Sequence, residues 1–169
     1  GLVTAIGGGT IRDLCLDLTP FWMLNSSYMI WTAIALIFVI LFRKHLIRLN
    51  NTFFIFDTIG LALFTVVGIE KTLDCHYPFW VAIIMGTITG AAGGIIRDIF
   101  INQIPLIFRK EIYAIACIIG GIVYYATDMI FNDNTIVQVL CALSVALTRI
   151  IAVKYQIGLP HIKGEEETE

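Results

Sequence analysis

The sequence predicts an all-α polytopic membrane protein, with two three-helix repeats of opposite orientation and one additional C-terminal helix. Three observations support this fold class. Of the 169 residues, 58% are hydrophobic and 14% are charged, and the mean hydropathy is +0.86, which is too apolar for an ordinary soluble domain. The apolar residues form segments of nearly bilayer length. A motif of glycines, arginine and aspartate occurs twice.

Five apolar segments are candidate membrane spans. They cover approximately residues 26–42, 53–69, 78–101, 112–131 and 135–153, and most approach the ~20 residues that cross a bilayer core. Residues 1–18 are predicted to form a sixth, foreshortened span. We do not interpret them as a secretory signal, because the apolar stretch leads into "GGGTIRD" without a basic region or a cleavage site.

The positions of lysine and arginine predict the orientation of the spans, because basic residues favour cytoplasmic loops. Eight of the eleven basic residues fall on one side of the predicted membrane: Arg43, Lys44, Arg48, Arg109, Lys110, Arg149, Lys154 and Lys163. The loops on the opposite side contain a single basic residue, Lys71, and are rich in acidic residues. We therefore expect a cytoplasmic C-terminus and a location in the prokaryotic inner membrane.

An internal repeat relates residues 1–28 to residues 86–113. With an offset of 85, nine positions are identical: Gly1, Thr4, Gly8, Gly9, Ile11, Arg12, Asp13, Pro20 and Tyr28. The two copies fall on opposite sides of the predicted membrane, which indicates an inverted-topology repeat.

The repeat predicts how the chain is divided. We expect residues 1–52 to hold the remainder of the first repeat, 53–134 the second repeat, 135–154 an extra transmembrane helix, and 155–169 an acidic tail. The first repeat contains no counterpart of residues 57–85, so its first helix is expected to be missing from this chain. That helix and its loop would comprise roughly 30 residues and bring the intact protein to seven spans.

The paired glycines are predicted to break a helix in each repeat. A glycine costs about 1 kcal/mol relative to alanine inside a helix, and the helix ends at a break could replace water around an ion. Candidate residues of an ion path are Gly7, Gly8, Gly9, Thr10, Gly93 and Gly94. The alternative is close helix packing through small residues.

Two charged residues at the ends of one predicted helix are further candidates for the path. Gly60, Phe64 and Gly68 recur every four residues and predict a packing stripe on this helix. Asp57 and Lys71, beyond the two ends of the stripe, could guard the two mouths of a path. The alternative is that both are ordinary surface residues.

The motif charges Arg12, Asp13, Arg97 and Asp98 need partners if they lie in the membrane. A charge at a helix centre costs about 2.5–3.5 kcal/mol on the insertion scale. Sequence neighbours on a helix point to different faces, so we expect each arginine to find its partner elsewhere, in the other repeat or at Asp57. These charges would either line the path or brace the two repeats.

The quoted residues resemble the prokaryotic branch of the TRIC (trimeric intracellular cation) channels, which overlaps an uncharacterised bacterial membrane family. The resemblance rests on "GGGTIRD…P…Y" and "DTIGLALFTVVGIEK…GAAGGIIRD…P…Y". It implies a homotrimer with a pore for K⁺ and Na⁺ in each subunit. Kinked helices carrying Gly7 to Gly9 and the pair Gly93 and Gly94 would line the pore.

An alternating-access transporter of a small zwitterion such as glycine is the alternative function, because inverted repeats also build carriers. An enzyme is not expected, since the sequence has neither an H-E-x-x-H nor a G-x-S-x-G motif. Cysteine and histidine lack metal-ligand spacing, so neither a metal nor a cofactor is expected. The lipid bilayer is the expected partner; nucleic acid is not, because there is no basic stripe.

Overall fold

A computed structural model describes residues 1–46, 52–108, 112–131 and 133–157, and every regular element in these ranges is helical. The elements are α1 (Leu2–Cys15), α2 (Phe21–Leu24), α3 (Ser27–Leu46), α4 (Thr52–Asp74), α5 (Phe79–Phe100), a 3-10 turn (Leu106–Phe108), α6 (Ala114–Asp128) and α7 (Asn134–Lys154). The predicted all-α fold is confirmed.

The apolar segments of the sequence correspond to the longer helices. Phe53–Asp74, Phe79–Phe100 and Asn134–Lys154 are long and apolar enough to cross a membrane, and Ser27–Phe42 and Ala114–Asp128 form shorter apolar helices. The foreshortened span is α1, with 14 residues. The sequence did not predict α2 or the 3-10 turn, which lie in the two loops that follow the repeated motif.

Helices α1 and α5 cross in antiparallel orientation at their glycines. A Cβ atom on Gly8 would overlap the carbonyl oxygen of Thr89, and one on Gly93 would lie 2.6 Å from the carbonyl oxygen of Thr4. From the first contact to the second, the residue number rises from 4 to 8 on α1 and falls from 93 to 89 on α5. The two helices therefore run in opposite directions. The 85-residue offset exchanges these two contacts, so a pseudo-twofold axis passes through the crossing, as an inverted repeat requires.

The predicted breaks in these helices are wrong. Helix α1 is continuous through Gly7, Gly8 and Gly9, and α5 is continuous through Gly93 and Gly94. The helical cost of about 1 kcal/mol per glycine is offset by the close approach of the two backbones, which any larger residue would prevent at Gly8 or Gly93. Gly8 and Gly93 therefore pack the two helices together, as the alternative interpretation predicted.

The remaining helices surround the second repeat more completely than the first. Helix α4 packs along α5, and α7 packs against α4 and α6. Two buried clusters fill the space between them, with Leu61 and Val145 in one and Ile69 and Val137 in the other. In contrast, α3 lies against α1 and α2, and much of its apolar surface is exposed, including Trp31 at 69%.

Candidate functional site

The two Arg-Asp motifs occupy opposite ends of the crossed helix pair. Arg12 and Asp13 lie in the last turn of α1, and Arg97 and Asp98 lie in the last turn of α5. Each arginine follows its central glycine by four residues, a rise of about 6 Å along a helix. Gly8 faces Thr89 and Gly93 faces Thr4, so the two glycines are themselves offset by four residues. The two motifs of the antiparallel pair are therefore roughly 18 Å apart along the crossing.

Each motif aspartate fastens the loop that follows its helix. Asp13 Oδ2 accepts a hydrogen bond from the backbone N–H of Phe21 at 2.8 Å. At the equivalent position, Asp98 Oδ2 accepts one from the backbone N–H of Leu106 at 3.2 Å. These loops carry α2 and the 3-10 turn, which are thereby held against the ends of α1 and α5. Both aspartates thus stabilise the loops of their own repeats.

The backbone of the two loops repeats as well. The carbonyl of Asp13 accepts from Leu18 N–H at 2.8 Å, and the carbonyl of Asp98 accepts from Gln103 N–H at the same distance. The residue that reverses the chain has a left-handed conformation in both copies, with φ of 55° at Asp17 and 54° at Asn102. Aspartate and asparagine tolerate this conformation better than most residues. The repeated segment thus determines how each helix ends as well as where its charged residues lie.

The motif neighbours pair with each other, which corrects the expectation that all their partners lie elsewhere. Arg12 donates through Nε and Nη2 to Asp13 Oδ1 at 2.9 and 2.6 Å. Arg97 Nε donates to Asp98 Oδ1 at 2.9 Å. The rule for helical neighbours concerns the direction of Cβ, whereas a long arginine side chain can bend back to the adjacent carboxylate. No ion pair joins the two repeats among the described residues.

In the second repeat, Asp57 extends the ion pair. Arg97 Nη1 donates to Asp57 Oδ1 at 3.0 Å, so the predicted partnership between these residues is confirmed. The hydroxyl of Tyr113 donates to the same oxygen at 3.4 Å. Arg149 Nη2 lies 3.7 Å from Asp57 Oδ2. Asp57, Arg97, Asp98 and Arg149 are called the Asp57 cluster below.

Aromatic rings surround the arginines of the Asp57 cluster. Arg149 Cζ lies 4.8 Å from the ring centroid of Tyr113 and 5.5 Å from that of Phe54. Arg97 Cζ lies 4.5 Å from the ring centroid of Phe53. At these distances a guanidinium is attracted to the ring face. The rings and carboxylates together compensate for the removal of two cations from water.

Sequence analysis missed Arg149 and Tyr113 as members of the site. Arg149 was counted as a basic residue at the end of a span, but its side chain is only 1% exposed and α7 continues for more than a turn beyond it. An arginine within an apolar run is itself a signal for a buried partner. Tyr113 is one of the nine repeated positions, so its recurrence could have identified it.

Aromatic side chains cover the end of the crossing in the first repeat. The ring of Phe21 covers Gly9, where a Cβ atom would lie 2.5 Å from the ring. Trp22 Nε1 donates to Thr10 Oγ1 at 3.1 Å. We call Phe21 and Trp22 the aromatic cap. In the second repeat, the Tyr113 hydroxyl takes the corresponding place beside Gly94, 2.7 Å from an added Cβ.

The structure does not bring Lys71 to either motif. Lys71 is exposed near the end of α4, and 14 residues of helix, about 21 Å, separate it from Asp57. Its neighbour Glu70 accepts a hydrogen bond from Gln138 of α7. Asp57 and Lys71 thus lie near the two ends of one helix, as expected, but only Asp57 joins the buried charges.

The formal charges balance at each end of the crossing. The pair of Arg12 and Asp13 sums to zero, and so do the two arginines and two carboxylates of the Asp57 cluster. Every motif arginine has a carboxylate oxygen within 3.0 Å. A path along the crossing would therefore be polar at both ends without a bare positive charge to repel a cation.

Sequence comparison relates the chain to a family of membrane proteins. A family model described as "Glycine transporter" matches residues 1–44 and 54–129. A UPF0126 membrane protein from Vibrio cholerae is 41% identical over 161 residues, covering 94% of this chain and 67% of that protein. The UPF0126 inner membrane protein YadS from Escherichia coli is 37% identical over 172 residues, covering 98% of this chain and 82% of its own length.

Structural comparison finds the same fold in solved channels. A TRIC cation channel structure superposes with a TM-score of 0.86 at 29% identity, covering 98% of this chain and 82% of the channel. The TRIC trimeric intracellular cation channel orthologue from Rhodobacter sphaeroides gives a TM-score of 0.81 at 31% identity, covering 92% of this chain and 80% of the orthologue. These matches confirm the resemblance drawn from the repeated motif.

Proposed function

Since the chain belongs to the family of the UPF0126 membrane proteins, whose model is described as "Glycine transporter", and shares the fold of the TRIC cation channels, we propose that it is a channel for monovalent cations, chiefly K⁺ and Na⁺. The permeant ion would be its only small ligand. Its surroundings would be the bilayer of a bacterial inner membrane.

The observation that carries this proposal is the antiparallel crossing of α1 and α5 with a neutral, polar cluster at each end. In this proposal the path follows the crossing within one subunit, past Gly7, Gly8, Gly9 and Thr10 on α1 and Gly93 and Gly94 on α5. Small residues leave backbone carbonyls close to the path, and such oxygens can replace the water around a cation.

Two threonines at the crossing add hydroxyl oxygens to this path. Thr4 and Thr89 are equivalent in the repeat, and each packs its backbone against a glycine of the opposite helix. The Thr4 hydroxyl is buried and accepts or donates no hydrogen bond among the described residues. A hydroxyl oxygen is a suitable ligand for a hard monovalent cation, so Thr4 supports an ion path at the crossing.

The experiment that tests the proposal is current recording from purified protein in planar bilayers under a K⁺ gradient. A channel gives discrete current steps that reverse near the K⁺ equilibrium potential. Bilayers prepared with detergent alone provide the control. Absence of steps from protein that is folded and inserted would overturn the channel proposal.

The description of the family model favours a second candidate, an alternating-access carrier of glycine. An inverted repeat is also the usual architecture of such carriers. Liposomes loaded with unlabelled glycine and placed in labelled glycine distinguish the two functions. A carrier shows saturable uptake and counterflow without unitary currents, whereas a cation channel shows neither saturable uptake nor counterflow of glycine.

We further propose that the protein assembles as a homotrimer with its C-terminus in the cytoplasm. The Rhodobacter sphaeroides channel is described as trimeric, and the exposed apolar face of α3 could contact lipid or another subunit. Native mass spectrometry should then give three times the 18.8 kDa of one chain. A reporter that functions only in the cytoplasm should be active when it is fused to the C-terminus. A reporter that functions only in the periplasm should be inactive at the same position.

A further inference from the structure

We propose that Asp57 is a binding site for a monovalent cation and that Arg149 occupies this site as a tethered cation. Arg149 thereby determines whether a permeant ion can bind at the second-repeat end of the crossing. The inference deepens the proposed function and rests on it for the identity of the ion. The contacts of Asp57 and Arg149, however, are the same whether or not ions pass through the protein.

Among the described residues, only one of the two carboxylate oxygens of Asp57 accepts hydrogen bonds. Oδ1 accepts from Arg97 Nη1 at 3.0 Å and from the Tyr113 hydroxyl at 3.4 Å. Oδ2 is buried and accepts no hydrogen bond from the described residues. Among the described residues, the cation nearest to Oδ2 is Arg149 Nη2 at 3.7 Å, which is beyond hydrogen-bond distance. Arg149 thus supplies charge to this oxygen without a hydrogen bond.

The surroundings of Arg149 have the chemistry of a cation site. A carboxylate lies on one side of the guanidinium, and the rings of Tyr113 and Phe54 lie within 5.5 Å of its Cζ atom. A carboxylate and aromatic faces attract a compact alkali cation as well as a guanidinium. The side chain that fills this site therefore competes with any cation that arrives along the path.

Comparison of the two repeats shows that the motif itself does not require Arg149. In the first repeat, Arg12 and Asp13 form a complete, buried pair with both nitrogens directed to one oxygen. In the second repeat, Asp57 adds a further negative charge from α4, and the balancing positive charge comes from α7, outside the two repeats. The seventh helix thus sets the net charge of the Asp57 cluster.

Removal of the tethered charge should open the site to a free cation. Thermal unfolding of the purified full chain in detergent tests this, with KCl compared with N-methyl-D-glucamine chloride at equal ionic strength. For Arg149→Gln, we expect the Tm to be higher in KCl by roughly 5 °C, as for a ligand well above its Kd. Wild type and Arg149→Lys, which retain the charge, should show no such difference.

The double variant Asp57→Asn with Arg149→Gln is the matched control. It lacks both charges, so its Tm should not distinguish K⁺ from N-methyl-D-glucamine. If Arg149→Gln can be purified only in high KCl, that result supports the proposal. Equal Tm values for Arg149→Gln in the two salts, or failure to fold in both salts while the double variant folds, would overturn it.

Current recording separates this inference from the proposed function. If Arg149→Gln binds K⁺ but neither it nor wild type conducts, the site stands and the channel proposal fails. If wild type conducts and Arg149→Gln shows no K⁺-dependent Tm, the channel stands and the tethered-cation site fails.

Discussion

The two ends of the α1–α5 crossing carry the same motif in different surroundings. At the first-repeat end, Arg12 and Asp13 form an isolated pair beneath the aromatic cap. At the second-repeat end, Arg97 and Asp98 belong to a cluster of four charges contributed by α4, α5 and α7. The repeat therefore specifies the helix end and its arginine–aspartate contact, whereas the neighbouring helices determine the charge of each site.

The largest effects should come from the motif arginines. Arg12→Ala leaves Asp13 buried without its cation. Arg97→Ala does the same to Asp98 and leaves Asp57 with only Arg149 beside it. Removal of one partner from a buried ion pair costs about 3–5 kcal/mol. We expect losses of this size in the free energy of unfolding for both variants, measured in detergent. Exposed Cys15, replaced by serine, should give no measurable change.

The two ends should differ in how well a second substitution restores stability. Asp13→Asn in the Arg12→Ala background removes the unpaired charge and retains the acceptor for Phe21 N–H, so most of the loss should be recovered. Asp98→Asn in the Arg97→Ala background should recover less, because Asp57 loses its 3.0 Å hydrogen bond from Arg97. Equal recovery at both ends would contradict the distinction between a pair and a cluster.

An effect of intermediate size is expected at the crossing itself. Gly8→Ala and Gly93→Ala place a Cβ atom against a backbone carbonyl of the opposite helix, and overpacking of this kind costs about 1–3 kcal/mol. Gly7→Ala is the matched control, since its Cβ would have no contact closer than 3.4 Å. Gly7→Ala should be neutral or stabilising by up to about 1 kcal/mol.

The pseudo-twofold axis leads to a further prediction for these glycine variants. Gly8 and Gly93 occupy equivalent positions, so their losses in unfolding free energy should be similar. A loss at Gly7→Ala as large as that at Gly8→Ala would show that glycine flexibility, rather than close backbone approach, matters here. That outcome would reinstate the broken helices expected from the sequence.

The sequence predicted the helices and the repeat because apolar segments of nearly bilayer length and identical residues at a fixed offset are directly visible in it. It also offered Asp57 as one of two possible partners of the motif arginines, since Asp57 lies near the start of its span without a local partner. The break at the glycines was wrong because a glycine pair has the same appearance whether it bends a helix or admits a neighbouring backbone. The continuity of α1 and α5 and the contacts of Gly8 with Thr89 and of Gly93 with Thr4 distinguish these cases.

The Asp57 cluster could be predicted only in part for a related reason. Asp57, Arg97 and Arg149 are distant in sequence, and Arg149 belongs to a helix outside the repeat, so internal symmetry gives no information about it. The geometry depends on how α7 packs against α4. That packing is determined by many weak apolar contacts rather than by a short motif.

The smallest predicted effect concerns the aromatic cap, whose two residues correspond to Leu106 and Ile107 in the second repeat. Trp22→Phe removes the Nε1 hydrogen bond to Thr10 Oγ1 and retains an aromatic ring, so the free energy of unfolding should fall by about 1 kcal/mol. The equivalent residue, Ile107, has no side-chain donor, and Ile107→Leu should change stability less. If the cap closes the path at this end, Trp22→Phe should also increase the unitary current, whereas Ile107→Leu should not. An unchanged current with the expected loss of stability would show that Trp22 only braces the loop, so the two ends of the crossing would differ in charge but not in access.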